Sequence, residues 1–383
     1  MTTHALWSTP SVDWVIKISR YCNLRCHYCY EFEHLGEKAR MSLADIEKMF
    51  RHIALHYRNS GKVMNFVWHG GEPLLIEADY YRQIARLQQQ IFVCAGIEYR
   101  NSLQTNLTTL TQTTLGLING FFHGMSVSID FFGDHRVSRA GRPIEDLVKR
   151  NMARLKQEGI RFGCISVLSR SNVEHVEDIY RYVAEHGYSL RLLPIYRKAF
   201  SGQQDQLALS AEEIVTAFTR VADLWLSSDR VLRVRPLEDY LTHVVRKLTL
   251  GTQGHAVYDK RMDEVVYIVG TDGSLYSIAD AYFEPLCHGN LFTTSLQEMQ
   301  SGAVYARVVA QARERMHKTC QHCEFHGPCS GFIMGEATEE ERYVDADEQL
   351  RCGIARPMHE YLERRLLASG VFSAPVQAAA HVR

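Results

Sequence analysis

Short apolar runs alternating with helix-length amphipathic segments fill the first half of this 383-residue chain and restrict it to one broad class of fold. The runs lie at 14–19, 63–68, 97–103, 125–129, 162–168 and 190–195. The helical patterns between them lie at 42–59, 79–93, 112–119, 144–158 and 173–186. Ser42, followed three residues on by Asp45 ahead of an apolar-periodic run, has the form of a helix start. Strands that alternate with helices pair in parallel through right-handed crossovers. The expected architecture is therefore α/β, with an open sheet or one curled into a partial barrel. Such sheets gather functional groups at the carboxyl ends of their strands.

The alternation stops near residue 200. A polar stretch opens at Ser201-Gly202, helical patterns follow over 210–227 and after Pro236, and a hairpin signal spans 265–269 and 275–278 around Thr271-Asp272-Gly273. A Cys/His-rich region from Cys320 to Cys352 then points to a smaller, metal-stabilised unit. The expected division is an N-terminal extension 1–13, a barrel 14–230, a cysteine-bearing domain 231–370 and a loose Ala-rich tail 371–383.

Charge narrows the function. With 43 basic and 44 acidic side chains, no electrostatic excess favours nucleic acid or an anionic membrane. No apolar run approaches the ~18–20 residues that span a bilayer. Residues 1–13 lack the basic start and apolar stretch of a signal peptide, so a cytoplasmic location is expected. In a reducing compartment ten cysteines, partly clustered, point to metal or reactivity rather than to disulfides.

Three of them, Cys22, Cys26 and Cys29, stand within eight residues directly after the first strand. The spacing is CxxxCxxC, and soft thiolates select zinc, copper(I) or an iron–sulfur cluster. A structural zinc site closes with four ligands, and His27 or His34 could supply the fourth. A 4Fe-4S cluster on three cysteines instead leaves one iron open. Further motifs stand at successive strand ends: Trp68-His69-Gly70-Gly71-Glu72-Pro73, Gln104-Thr105-Asn106, and Ser128-Ile129-Asp130 with Arg139 nine residues on. Taken together these resemble the radical SAM superfamily, continuously from residue 14 to about 200.

That resemblance implies a partial (β/α)6 TIM-type barrel with S-adenosylmethionine (SAM) on the open iron of a 4Fe-4S cluster. Reduction by one electron would give methionine and a 5′-deoxyadenosyl radical that takes a substrate hydrogen. It assigns cluster ligation to Cys22, Cys26 and Cys29, and SAM contacts to Tyr28, Gly70, Gly71, Glu72, Asn106, Ser128, Asp130 and Arg139. Arg136 and Arg142 compete with Arg139 for the SAM carboxylate.

Downstream, Cys320-Gln-His-Cys323 and Cys329, with Cys352 beyond, resemble the SPASM domain of radical SAM enzymes that modify peptides. This implies one auxiliary 4Fe-4S cluster on Cys320, Cys323, Cys329 and Cys352, with structural zinc as the alternative. The family's cysteines for a second auxiliary cluster are missing: Ile333 holds one place, and the upstream strand reads Tyr276-Ser277-Ile278-Ala279-Asp280. Cys287 has no assignment. His322 and His326 are expected beside the site or in solvent, and Cys94 and Cys164 as buried inert thiols.

The function implied is maturation of a ribosomally synthesised precursor peptide, by hydrogen abstraction and a cyclophane C–C crosslink, with no catalytic side chain assigned. A flavodoxin or ferredoxin would donate electrons. Few residues precede the first strand, so leader recognition would need another surface or a separate leader-binding protein. The alternatives are an anaerobic sulfatase-maturing enzyme that makes formylglycine, a thioether-forming or epimerising maturase, and a zinc-bound scaffold without activity.

Overall fold

Strand β1 (Ser11–Ser19) sits inside the sheet, and its sequence shows why. Val12, Trp14, Ile16 and Ile18 face the helical layer and are fully buried, while the alternate face carries Lys17 and Ser19. The computed structural model describes residues 10–195, 206–252, 255–338 and 341–372. Most of the expected N-terminal extension and tail, and the polar stretch at Ser201-Gly202, lie outside the described residues.

The six expected strands all form: β1, β2 (Val63–Gly70), β3 (Tyr99–Thr105), β4 (Gly124–Ser128), β5 (Gly163–Leu168) and β6 (Ser189–Pro194). Helices α1 (Leu43–Tyr57), α2 (Ala78–Gln88), α3 (Gln112–Phe121), α4 (Glu145–Gln157) and α5 (Val176–His186) connect them. Helix α1 starts where its cap requires, with the Ser42 side chain accepting the Asp45 N–H at 3.1 Å. It buries Ile46, Met49, Phe50, Ile53 and Tyr57 along one stripe.

After α6 (Ala211–Leu226) come β7 (Val234–Arg235), α7 (Leu237–Leu250) and α8 (Lys260–Asp263). The hairpin follows as β8 (Val266–Val269) and β9 (Ser274–Ser277), then β10 (Gly289–Asn290). The sheet runs β10-β9-β8-β1-β2-β3-β4-β5-β6-β7. β1 to β7 pair in parallel, and β8 pairs parallel with β1 from Asp13↔Val266 to Ile16↔Val269. The hairpin thus extends the barrel's own sheet, with Trp14 stacked on Tyr267 at 4.9 Å. Side chains from β2 through β6 line one cavity, so the sheet curls around it as a partial barrel with open edges.

The remainder is α9 (Leu296–Ser301), α10 (Ala303–Cys320), α11 (Phe332–Gly335), the pair β11 (Tyr343–Val344) and β12 (Leu350–Arg351), and α12 (Ala355–Ala368). Helix α12 returns to the barrel side, where Tyr361 donates to Asp223 on α6 at 2.6 Å and Glu363 meets Lys247 on α7 at 2.9 Å. A buried ionic knot joins α8 to the end of α11. Lys260 Nζ lies 3.0 Å from Glu264 and 2.6 Å from Glu336, a fully paired arrangement that a buried charge requires.

Cys164 is buried on β5 as expected, but Cys94 is not. Past α2 a further helical turn (Gln89–Val93) buries Ile91 and Phe92, while Val93 and then Cys94 face outward. Among the described residues no helix is long and apolar enough to cross a membrane.

Candidate functional site

The chain leaving β1 forms a tight loop whose shape is set by backbone bonds. Cys22 N–H donates to Leu35 O at 3.1 Å, and Cys29 N–H to Cys26 O at 3.1 Å. The segment after β4 clamps this loop from one side: Arg25 N–H donates to Val137 O at 2.8 Å and His27 N–H to His135 O at 3.0 Å. Cys22, Cys26 and Cys29 are thereby brought to one end of a cavity of about 430 Å³. Burial pushes the Cys22 thiol up to about 11 and the Cys26 thiol up to about 12. Cations that bind there must displace protons, and metal loading therefore releases them.

The two glycines of the second strand end are dictated by close approach. A Cβ at Gly70 would lie 2.1 Å from Ser19 O, and one at Gly71 would lie 2.1 Å from Tyr21 O. Gly71 N–H donates to Ser19 O at 2.8 Å and Glu72 N–H to Tyr21 O at 2.9 Å, extending the β1–β2 ladder toward Cys22. Both glycines border the cavity.

The Glu72 carboxylate is taken up by three protein donors and is not among the residues that line the cavity. Its Oε1 accepts Leu74 N–H at 2.9 Å and the Thr105 hydroxyl at 2.7 Å, and its Oε2 accepts Asn106 N–H at 2.7 Å. What this stretch offers the cavity is the backbone of Gly70 and Gly71. Asn106 lines the cavity and aims Nδ2 at Asn23 Oδ1, 3.0 Å away, with Cys22 Sγ at 3.8 Å.

Ser128 and Tyr28 line the cavity, whereas Asp130 stands behind them. Its Oδ1 accepts Arg136 Nε at 2.9 Å, and its Oδ2 accepts the Tyr28 hydroxyl. Of the competing arginines, Arg136 is the one in the cavity wall. Arg139 is exposed outside, where Nη2 donates to Cys22 O at 3.3 Å. Spacing alone could not separate these two residues, because both lie on one short segment.

Several residues in or behind the wall have no role assigned by the sequence. Lys17 is fully buried, ion-paired with Glu31, and lies 4.3 Å from the Tyr30 ring centre and 3.5 Å from that of Tyr282. Burial, only partly offset by Glu31, lowers its ammonium to about 8. His69, inside the glycine motif, borders the cavity and is held to about 4 by burial, so it stays neutral. Beyond the thiols the wall turns apolar, with Ile165, Val167, Leu193, Ile195 and Ile278, and Arg191 beside them. For Ile165, Val167, Arg191 and Leu193 the signal was alternate residues on one face of β5 and β6.

A second cavity, of about 270 Å³, gathers Cys320, Cys323, Cys329 and Cys352. Helix α10 delivers Cys320, and a turn fixed by Cys323 N–H to Cys320 O at 3.0 Å and Cys329 N–H to Phe325 O at 2.8 Å delivers the next two. Burial pushes Cys320 and Cys352 up to about 12. Ile333, Phe325, Met334 and Leu350 make the walls apolar, and His326 borders them while His322 faces solvent. Cys287 lies apart, its thiol 3.5 Å from Gly289 O.

Among the described residues no three His, Cys, Asp or Glu side chains converge as they would on a single metal ion. Both thiol sets instead surround space large enough for a polynuclear cluster, and sulfur donors in apolar walls suit iron and sulfide.

Residues 16–183 match the family model of the Radical SAM superfamily. The chain is similar to the serine-type anaerobic sulfatase-maturating enzyme of Bacteroides thetaiotaomicron, 23% identical over 356 residues that cover 86% of this chain and 84% of that protein. It is also similar to the cysteine-type anaerobic sulfatase-maturating enzyme of Clostridium perfringens strain 13, 22% identical over 382 residues covering 94% and 98%. Among solved structures, native anSMEcpe with bound AdoMet and Kp18Cys peptide aligns with a TM-score of 0.72 and 20% identity, over 94% of this chain and 99% of that one. Streptococcus suis SuiB bound to precursor peptide SuiA aligns with a TM-score of 0.60 and 13% identity, over 89% and 76%. At these identities the structural likeness carries the fold.

Proposed function

Residues 16–183 match the Radical SAM superfamily model, and on that premise we propose that the chain is a radical SAM enzyme that modifies a ribosomally made peptide, joining a side-chain carbon to a nearby aromatic ring. Superfamily membership implies a 4Fe-4S cluster and SAM. When bound, they supply a one-electron cleavage that yields methionine and a 5′-deoxyadenosyl radical able to take a substrate hydrogen.

Cys22, Cys26 and Cys29 would hold the cluster. The backbone of Gly70 and Gly71, with Asn106, Ser128 and Arg136, would position SAM beside it, and Asp130 keeps Arg136 and Tyr28 in place. Cys320, Cys323, Cys329 and Cys352 would hold an auxiliary 4Fe-4S cluster. The chain passes from that cavity to the first within a few residues, since Ile333 and Met334 line one and Glu336 and Thr338 the other.

The observation that carries the reading is the apolar wall beyond the thiols. Leu193, 42% exposed, lines the same cavity as the three thiols together with Ile165, Val167, Ile195 and Ile278. An apolar cavity with a few polar groups marks a binding region. The solved relatives bound to peptides, named above, support the same class of substrate.

A second reading is sulfatase maturation, in which a serine or cysteine becomes formylglycine. Two observations favour it: the curated relatives span nearly the whole chain, and Asp280 is a buried carboxylate whose Oδ2 accepts no hydrogen bond. One experiment separates the two. The anaerobic, iron-loaded enzyme is incubated with SAM, reductant and either a short aromatic-rich peptide encoded beside its gene or a sulfatase-type peptide. A loss of two hydrogens from the aromatic peptide, with fragment ions missing across the linked residues, supports the crosslink. A product that reacts with a hydrazide, formed only from the sulfatase-type peptide, supports formylglycine and overturns it.

A further inference from the structure

Two polar atoms in the wall of the four-cysteine cavity are left over by the protein's own hydrogen bonding. The Thr319 hydroxyl and His326 Nε2 are both shut off from solvent, and neither has a hydrogen-bond partner among the described residues. Both residues line the cavity together with Cys320, Cys323, Cys329 and Cys352. Their neighbours in that wall are engaged: Arg356 with Glu360 at 3.0 Å, Arg351 with Asp345 at 2.6 Å, and His359 Nε2 with His243 Nδ1 at 3.1 Å.

Local structure fixes both residues beside the thiols. Thr319 stands in the last turn of α10, directly before Cys320. A helical threonine can turn its hydroxyl back to the carbonyl one turn earlier, and here that bond is not made. His326 is tied to two of the thiol-bearing residues: its backbone N–H donates to Cys323 O at 3.0 Å, and it pairs with Cys329 in an isolated bridge. His322, between Cys320 and Cys323, faces solvent instead. Nearness to the cysteines in sequence therefore does not by itself turn a histidine inward.

A buried donor without an acceptor is costly, so two of them in one wall call for an acceptor inside the cavity. Thiolate and sulfide sulfur accept hydrogen bonds and offer none. Under the function proposed above, on which this inference rests, the four thiolates carry an auxiliary 4Fe-4S cluster. We propose that the Thr319 hydroxyl and the Nε2–H of His326 donate hydrogen bonds to the sulfur of that cluster and raise its reduction potential. Reduction brings one electron to the cluster, and no bond or proton changes hands. The added negative charge is shared by the sulfur atoms and strengthens both hydrogen bonds, so each donor favours the reduced form.

The test is an anaerobic redox titration of the full, iron-loaded chain, followed by electron paramagnetic resonance with iron counted. It is run in a Cys26→Ala background, so that the auxiliary cluster gives the signal and about four irons are expected. His326→Leu and Thr319→Val should keep that iron. Each should make reduction at least about threefold less favourable, and the two together at least about tenfold, which for one electron is about 59 mV. His326→Gln still presents an N–H and should stay within about twofold of the background, as should the solvent-facing control His322→Leu. An unchanged potential in His326→Leu or in Thr319→Val, with iron retained, overturns the role of that residue. An equal drop in His322→Leu, or in His326→Gln, overturns hydrogen bonding as the cause. Iron lost from His326→Leu overturns it as well, since the ring would then be a ligand. Background protein that binds zinc in place of iron would instead overturn the auxiliary cluster itself, and this inference with it.

Discussion

The Glu72 carboxylate accepts the Asn106 backbone N–H at 2.7 Å and so ties the end of β2 to the end of β3 beside the Cys22 thiol. Three buried donors depend on that one carboxylate. Glu72→Ala strands all of them and should destabilise the fold by about 3 kcal/mol, with Glu72→Gln costing roughly half as much. Chemical denaturation of the anaerobic protein measures this. A shift below about 0.5 kcal/mol for the alanine variant would contradict the role assigned.

Gly70 and Gly71 meet backbone oxygens of the β1 end at distances no side chain tolerates. Because those oxygens belong to main chain, neither can rotate away. Gly70→Ala and Gly71→Ala should each cost more than about 2 kcal/mol, seen as a large fall in the thermal midpoint or as insoluble protein. Gly36→Ala, with nothing within 4 Å of its new methyl, should be close to neutral.

Arg136 borders the cavity and Arg139 does not, and SAM affinity should follow that division. By equilibrium binding to the iron-loaded enzyme, Arg136→Ala should weaken SAM at least about tenfold, since a charge-assisted contact contributes about 1.5–3 kcal/mol. Arg139→Ala should leave it within about threefold. The reverse order would restore Arg139 to the role its spacing suggests.

The same contrast marks where sequence reading stops. The six strands, the Ser42 cap and the hairpin around Asp272-Gly273 were legible because alternation, capping and turn chemistry are local. The hairpin's place beside β1 was not, since pairing between Val266 and Asp13 leaves no trace in the periodicity of either segment. Cys22, Cys26 and Cys29 were legible by spacing, and so was the gathering of Cys320 to Cys352. Which arginine enters the cavity depended on the path of one loop. No motif marks Lys17, and only the fold places it beside the rings of Tyr30 and Tyr282 and against Glu31. Ile278 and Ile333, where the family has cysteines, line different cavities.

A buried histidine pair between α7 and α12 sets an acid limit on stability. His243 Nδ1 lies 3.1 Å from His359 Nε2, and burial lowers His243 to about 4 and His359 to about 3. Both folded values lie below that of a free histidine, near 6.5, so on acidification the unfolded chain takes up protons that the folded chain refuses. The pair's contribution to stability should be flat above about pH 7 and fall between about 6.5 and 4, by up to about 1.4 kcal/mol per pH unit for each histidine. Thermal midpoints at pH 7.5 and 5.5 test it, and His243→Leu/His359→Leu should reduce the slope. An equal slope in parent and variant would contradict it.

The central claim is that Cys22, Cys26 and Cys29 hold a redox-active cluster that cleaves SAM. The most direct test is chromatographic detection of 5′-deoxyadenosine after anaerobic incubation of the iron-loaded enzyme with SAM and dithionite, alongside the Cys26→Ala variant with its iron counted. The parent should produce 5′-deoxyadenosine and carry about eight irons, while the variant should produce none and retain about four. No 5′-deoxyadenosine from a fully loaded parent, or equal amounts from parent and variant, would contradict the claim.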